Sequence, residues 1–295
     1  FSTCRNIGFG IVFSTTEKPL KKSELTGEKI GFELLSDFLE LETGECEEWN
    51  RLKKCLGKRP LAPKKLDPLP HQKRAKNKAK KHYVIDGNKR GKLIMPCASG
   101  KSLTSFLIAN LLNSKEIVVA VPSLALIKQS LNFWTKEYLA YGIRPSFIAI
   151  CSNSDAGDID SDSFTAEIYD LGIKCTTKQN EIEDFLKENS NQPKIVFTTY
   201  QSGKVLARSS KAVKKIFDLG IFDEAHKTVG RKDKIFSHLI FDENIKINKR
   251  VFMTATERHY RGSSDKIVSM NDVNHYGKTF ELLTFKKAIE ENIIS

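Results

Sequence analysis

From Leu66 onward, short apolar runs recur along the chain, separated by stretches whose apolar residues fall at helical spacing. The runs are Leu93–Met95, Ile117–Val121, Phe147–Ile150, Ile173–Cys175, Ile195–Phe197, Leu219–Phe222 and Val251–Met253. Between them, Leu103, Phe106, Leu107 and Leu111 share one helical period, and Leu124, Ile127, Leu131, Trp134 and Tyr138 share another. Strands covered on both faces read as unbroken apolar runs, and strands alternating with helices need crossover connections. Both conditions are met by an α/β fold: a parallel sheet with helices on both faces. No internal repeat of roughly 20 to 50 residues competes with this reading.

Two stretches in this alternation carry chemistry. The first, Met95-Pro96-Cys97-Ala98-Ser99-Gly100-Lys101-Ser102, joins a strand to a helix beginning near Lys101. The backbone N–H groups of a small-residue turn, together with a helix N-terminus, converge on phosphate oxygens. Pro96, Cys97, Ala98, Ser99 and Gly100 would wrap the phosphates of ATP, Lys101 would reach the β- and γ-phosphates, and Ser102 would ligate Mg²⁺. The strict pattern has Gly or Ala where Met95 stands, and often Gly where Ala98 stands. The second stretch is Leu219-Gly220-Ile221-Phe222-Asp223-Glu224-Ala225-His226, an apolar strand ending in two carboxylates. Open parallel sheets bind ligands at the carboxyl ends of their strands. Asp223 would hold the Mg²⁺, Glu224 would orient and deprotonate the attacking water, and His226 could link the nucleotide site to the rest of the machine.

These motifs, with several others in order, resemble the N-terminal motor domain of superfamily 2 (DEAD/DEAH-box) helicases, which has a RecA-like fold. Leu69-Pro70-His71-Gln72-Lys73-Arg74-Ala75 is similar to the segment whose Gln contacts adenine, which maps to Gln72. Val121-Pro122-Ser123 through Gln129 is similar to a motif gripping the nucleic-acid backbone, and Thr198-Thr199-Tyr200-Gln201 to a second. Thr254-Ala255-Thr256 resembles the motif that couples hydrolysis to strand movement. The resemblance implies nucleic-acid or coupling roles for Pro122, Ser123, Gln129, Thr199, Tyr200, Thr254 and Thr256. It covers residues 66–295 and implies ATP and Mg²⁺ as cofactors, DNA in preference to RNA as partner, and a second RecA-like domain that closes on the nucleotide. Met253 to Arg258 and the ending Phe285 to Ser295 look closest to helicases of restriction-type systems. An RNA helicase shares these motifs, and a nucleotide-gated scaffold without productive hydrolysis is the alternative from a different class.

The remaining sequence sets limits. A chain of 295 residues holds about two domains, or one large domain with an appendage. Prolines at 60, 63, 68 and 70 among lysines suggest a linker over 59–70, between an N-terminal segment 1–58 and the motor domain 71–295. In the segment, Gly10–Ser14 reads as a strand and Phe32–Leu41 as a strand or short helix; the resemblance makes it the tail of a restriction-endonuclease-like domain. The net charge of +12 favours a polyanionic partner. Six cysteines without a C-x-x-C pair fit a reducing, cytoplasmic location, and no apolar run is long enough to span a bilayer. Lys73, Arg74, Lys76, Lys78, Lys80 and Lys81 alternate with small residues, as on a solvated helix face. The acidic stretch Ser152–Ser163 reads as a surface loop: counted from Asp158, a calcium loop would need Gly where Ser163 stands and Glu where Tyr169 stands. The histidines show no zinc-ligand spacing.

Overall fold

The structure, a computed structural model, describes residues 10–13, 30–33, 64–152, 175–231, 235–260 and 267–294. It divides into two units, Phe1–Ala62 and Pro63–Ser295. In the first, strands β1 (Gly10–Phe13) and β2 (Ile30–Glu33) pair in parallel, with Gly10 opposite Ile30. The acidic stretch after Ser152, Ile173 of the expected strand at 173–175, and residues 34–41 lie outside the described residues.

The second unit opens with helix α1 (Pro70–Lys80), which ends in one wide turn over Lys81–Ile85. Pro70 takes the first helical position, where its missing N–H costs nothing. Ala75 and Ala79 face inward, while Lys78 and Arg74 pair with Glu281 at 2.8 and 3.0 Å. Then follow β3 (Arg90–Ile94), α2 (Lys101–Leu111), β4 (Glu116–Val121), α3 (Leu124–Ala140) and β5 (Ser146–Ile150). Next come α4 (Gln179–Lys187), β6 (Lys194–Thr199), α5 (Gly203–Ala212) and β7 (Ile216–Phe222). A single 3₁₀ turn at Ala225–Thr228 leads to β8 (Gly230–Arg231), and a second at Ile235–Ile240 to β9 (Lys246–Thr254). The chain then runs through β10 (Ile267–Val268), α6 (Val273–Tyr276), β11 (Lys278–Leu282) and α7 (Phe285–Glu290).

Seven strands form one sheet in the order β11-β3-β9-β7-β4-β6-β5, every neighbouring pair parallel. Residues alternate between its faces. Ile117, Val119 and Val121 join one core with Phe106, Leu131 and Trp134, while Val118 and Ala120 join the other with Ile182 and Leu206. The expected parallel α/β sheet is therefore present. Its order has one feature that places the site: β9 and β7 insert between β3 and β4, which are consecutive strands in sequence. The carboxyl ends of β3, β9 and β7 thus stand side by side, the crevice in which open α/β sheets bind ligands.

Candidate active site

The loop after β3 is shaped by two residues in the left-handed region, Ala98 (φ 62°) and Gly100 (φ 82°). Gly100 is needed for a second reason: a Cβ there would stand 2.1 Å from Gln72 Nε2. Gln72 and His71, at the start of α1, tie the loop down. The His71 ring donates to the Ser99 carbonyl at 2.8 Å, and Gln72 Nε2 donates to the Ser99 and Gly100 carbonyls at 3.3 and 3.4 Å. Gln72 Oε1 meanwhile accepts from Leu69 N at 2.9 Å. Ser99 closes the turn by donating to the Pro96 carbonyl, and Met95 N donates across to Thr254 O on β9. Pro96 is buried and Cys97 exposed.

Lys101 and the acid pair meet across this crevice. The Lys101 ammonium lies 3.7 Å from Glu224 Oε1 and donates to the Met95 carbonyl at 3.4 Å. Asp223 Oδ1 accepts from Glu224 N at 2.9 Å. Glu224 itself sits at φ 47°, a left-handed conformation costly for a residue with a Cβ. Burial, then the Glu224 carboxylate, push the Asp223 carboxyl up to about 6; the Glu224 N–H and Lys101 offset this in part. A carboxylate held so uneasily suits a cation. The second Asp223 oxygen and the Ser102 hydroxyl make no hydrogen bond among the described residues, and two hard oxygen donors match Mg²⁺.

A hydrogen-bonded path runs on from the acids. His226 Nδ1 lies 3.2 Å from Glu224 Oε2 and 3.0 Å from Thr254 Oγ1. Thr254 Oγ1 in turn donates to the Thr256 carbonyl and accepts from Thr256 N. Burial first, helped by the nearby cations Lys227, Arg258 and Lys101, lowers the His226 pKa against the pull of Glu224, which keeps the ring neutral. Tyr200 is buried and its hydroxyl donates to the Asp223 carbonyl at 2.6 Å, while Thr199, also buried, accepts from Ser202 N through its hydroxyl. These two side chains point into the protein. Pro122 is buried, Ser123 precedes α3 half-buried, and Gln129 is exposed on that helix.

A cleft of about 510 Å³ joins these groups, bounded by Lys101, Ser102, Asp223 and Glu224 at one end and by Leu66, Leu126 and Phe133 at the other. Gln129 lines it, on the same side as the phosphate loop. Sequence reasoning missed His71 as a tether, Tyr200 as a brace beneath Asp223, and the apolar end of the cleft. Of these only His71 carried a signal, its place beside Gln72.

Comparison with known proteins fits this geometry. Residues 65–259 match the family described as type III restriction enzyme, res subunit. A probable helicase of African swine fever virus is 28% identical over 226 residues, which is 76% of this chain and 23% of that protein. Among solved structures, a nuclease-deletion mutant of the Type ISP restriction-modification enzyme LlaGI, in complex with a DNA substrate mimic, is 29% identical with a TM-score of 0.60 over 77% of this chain and 21% of that one. The ATP-dependent Type ISP restriction-modification enzyme LlaBIII, bound to DNA, is 26% identical with a TM-score of 0.65 over 96% of this chain and 19% of that one. The chain therefore spans about a fifth of the length of the relatives it matches.

Proposed function

This chain belongs to the type III restriction enzyme res-subunit family, and we propose that its second unit is an ATP-hydrolysing motor that drives a larger protein along DNA. The domain is of the superfamily 2 helicase type. The observation that carries the proposal is the 3.7 Å approach of Lys101 to Glu224, with Asp223 beside them, at the carboxyl ends of β3 and β7. In this reading the backbone N–H groups after Pro96 and the N-terminus of α2 hold the phosphates, and Lys101 neutralises the β- and γ-oxygens. Ser102 and Asp223 would hold Mg²⁺, which when bound spreads the charge developing on the transferred phosphoryl group. Glu224 orients the attacking water and takes its proton. His226 passes any movement of Glu224 to Thr254 and Thr256, and so to the loop after β9.

An arginine from a second RecA-like domain, in the remainder of the longer protein, completes the charge stabilisation; such a group is worth roughly 10³-fold or more. DNA is the favoured track because two relatives of known structure were solved with DNA or a DNA mimic, and the net charge of +12 suits a polyanion. The test is ATP hydrolysis by the longer protein with duplex DNA, duplex RNA or neither. Stimulation by DNA alone is expected. Equal stimulation by RNA would overturn the DNA assignment, and hydrolysis indifferent to both would favour a nucleotide-gated scaffold.

A further inference from the structure

The far end of the cleft is apolar and lies away from the acids. Leu66, Leu103, Leu126 and Phe133 wall it, between α2, α3 and the segment entering α1. That segment is fixed against α3: the Lys65 ammonium stands 4.1 Å over the Tyr141 ring. The cleft's volume falls within the range of about 300–1,000 Å³ usual for small-molecule sites. The Gln129 carboxamide lines it, is exposed, and takes part in no hydrogen bond among the described residues. Gln72, the expected adenine contact, is in the opposite condition. It is 3% exposed, its oxygen accepts from Leu69 N, and its amide nitrogen serves two carbonyls of the phosphate loop.

We propose that the nucleotide base lies in this apolar groove and is read by Gln129, while Gln72 is a positioning residue that holds the phosphate loop. The proposal rests on the motor reading above, since it assumes that Lys101 marks the phosphate end. A flat ring fits between leucine and phenylalanine side chains, and a carboxamide presents one N–H donor beside one C=O acceptor. That pair matches the N7 acceptor and N6 donor of adenine, whereas guanine offers two acceptors, N7 and O6, and leaves the carboxamide oxygen unpaired. The ligand class is therefore an adenine nucleotide, with selectivity set on α3. Because Gln129 is on the surface of its helix, its truncation leaves the fold intact.

The test uses calorimetric titration of the 295-residue chain with Mg·ATP, Mg·GTP and baseless Mg·tripolyphosphate. The unaltered chain should bind ATP more tightly than GTP. Gln129→Ala should weaken ATP binding by roughly 3- to 10-fold, the loss of one or two neutral hydrogen bonds, without moving tripolyphosphate. Gln72→Ala should weaken ATP and tripolyphosphate by the same factor, because both use the loop. The proposal is overturned if Gln129→Ala leaves the ratio of ATP to tripolyphosphate affinity unchanged, or if Gln72→Ala lowers ATP binding alone. Failure of the unaltered chain to bind either compound would overturn the motor reading itself, and this proposal with it.

Discussion

Replacing Asp223 by Asn should stabilise the protein while disabling it, and the gain should depend on pH. Asp223 has its carboxyl raised from 3.8 to about 6, chiefly by burial and then by Glu224. Its folded state therefore holds the proton more tightly than its unfolded state. By linkage, the stabilising contribution is complete below the unfolded value and is lost as pH rises through the folded one. The full gap corresponds to about 3 kcal/mol, at about 1.4 kcal/mol per unit. About half of that is already lost at pH 5, where the unfolded carboxyl is mostly ionised; the rest, about 1.4 kcal/mol, is lost between pH 5 and 8. The Asn variant has no charge to desolvate, so its stability should exceed that of the unaltered chain by a margin that widens by this amount over the same interval. Urea denaturation of both proteins at pH 5 and pH 8 measures it, because every other titrating group is common to the pair. A margin that does not change with pH, or that shrinks as pH rises, would refute the view that the acid pair stores electrostatic strain ready for a cation.

Three further outcomes follow from single contacts. Ala98→Gly should raise stability by about 1 kcal/mol, because an alanine held at φ 62° bears the left-handed penalty, and the urea midpoint reads it. Tyr200→Phe removes the hydroxyl that donates to the Asp223 carbonyl; stranding that buried oxygen should cost about 1–3 kcal/mol in the same assay and weaken Mg·ATP binding. Gly100→Ala should abolish nucleotide binding, since the new Cβ would stand 2.1 Å from Gln72 Nε2 as well as at an unfavourable φ; calorimetry that finds ordinary binding would show that the Gln72 tether is dispensable.

The sheet was largely legible because its central strands are unbroken apolar runs, and burial on both faces leaves no other use for Ile117 to Val121. The ends of strands were not. β3 begins at Arg90, three residues before its apolar run, because Lys92 is buried with its ammonium 2.6 Å from Glu257 and 2.8 Å from the Met270 carbonyl. β9 likewise begins at Lys246 and buries Arg250, whose guanidinium lies 2.6 Å from Asp242. Charged residues that enter a sheet by means of distant partners give no local signal. Edge strand β11, with Lys278, Thr279 and Glu281 among its five residues, was invisible for the same reason: Glu281 is buried by Arg74 and Lys78 from α1. At the site, the motifs identified Lys101, Asp223 and Glu224 because their chemistry is tied to short spacings. Gln129 and Phe133 could not be assigned to the cleft, since only the packing of α3 beside α2 brings them there.

The pairing of one ammonium with two carboxylates around a single triphosphate is tested most directly by comparing Glu224→Gln with Lys101→Ala for Mg·ATP binding and single-turnover hydrolysis. The Gln variant should bind as well as the unaltered protein and lose turnover by roughly 10²- to 10⁴-fold, the usual worth of a general base. The Ala variant should lose binding. Turnover at the ordinary rate with Gln at position 224, or undiminished binding with Ala at position 101, would contradict the account.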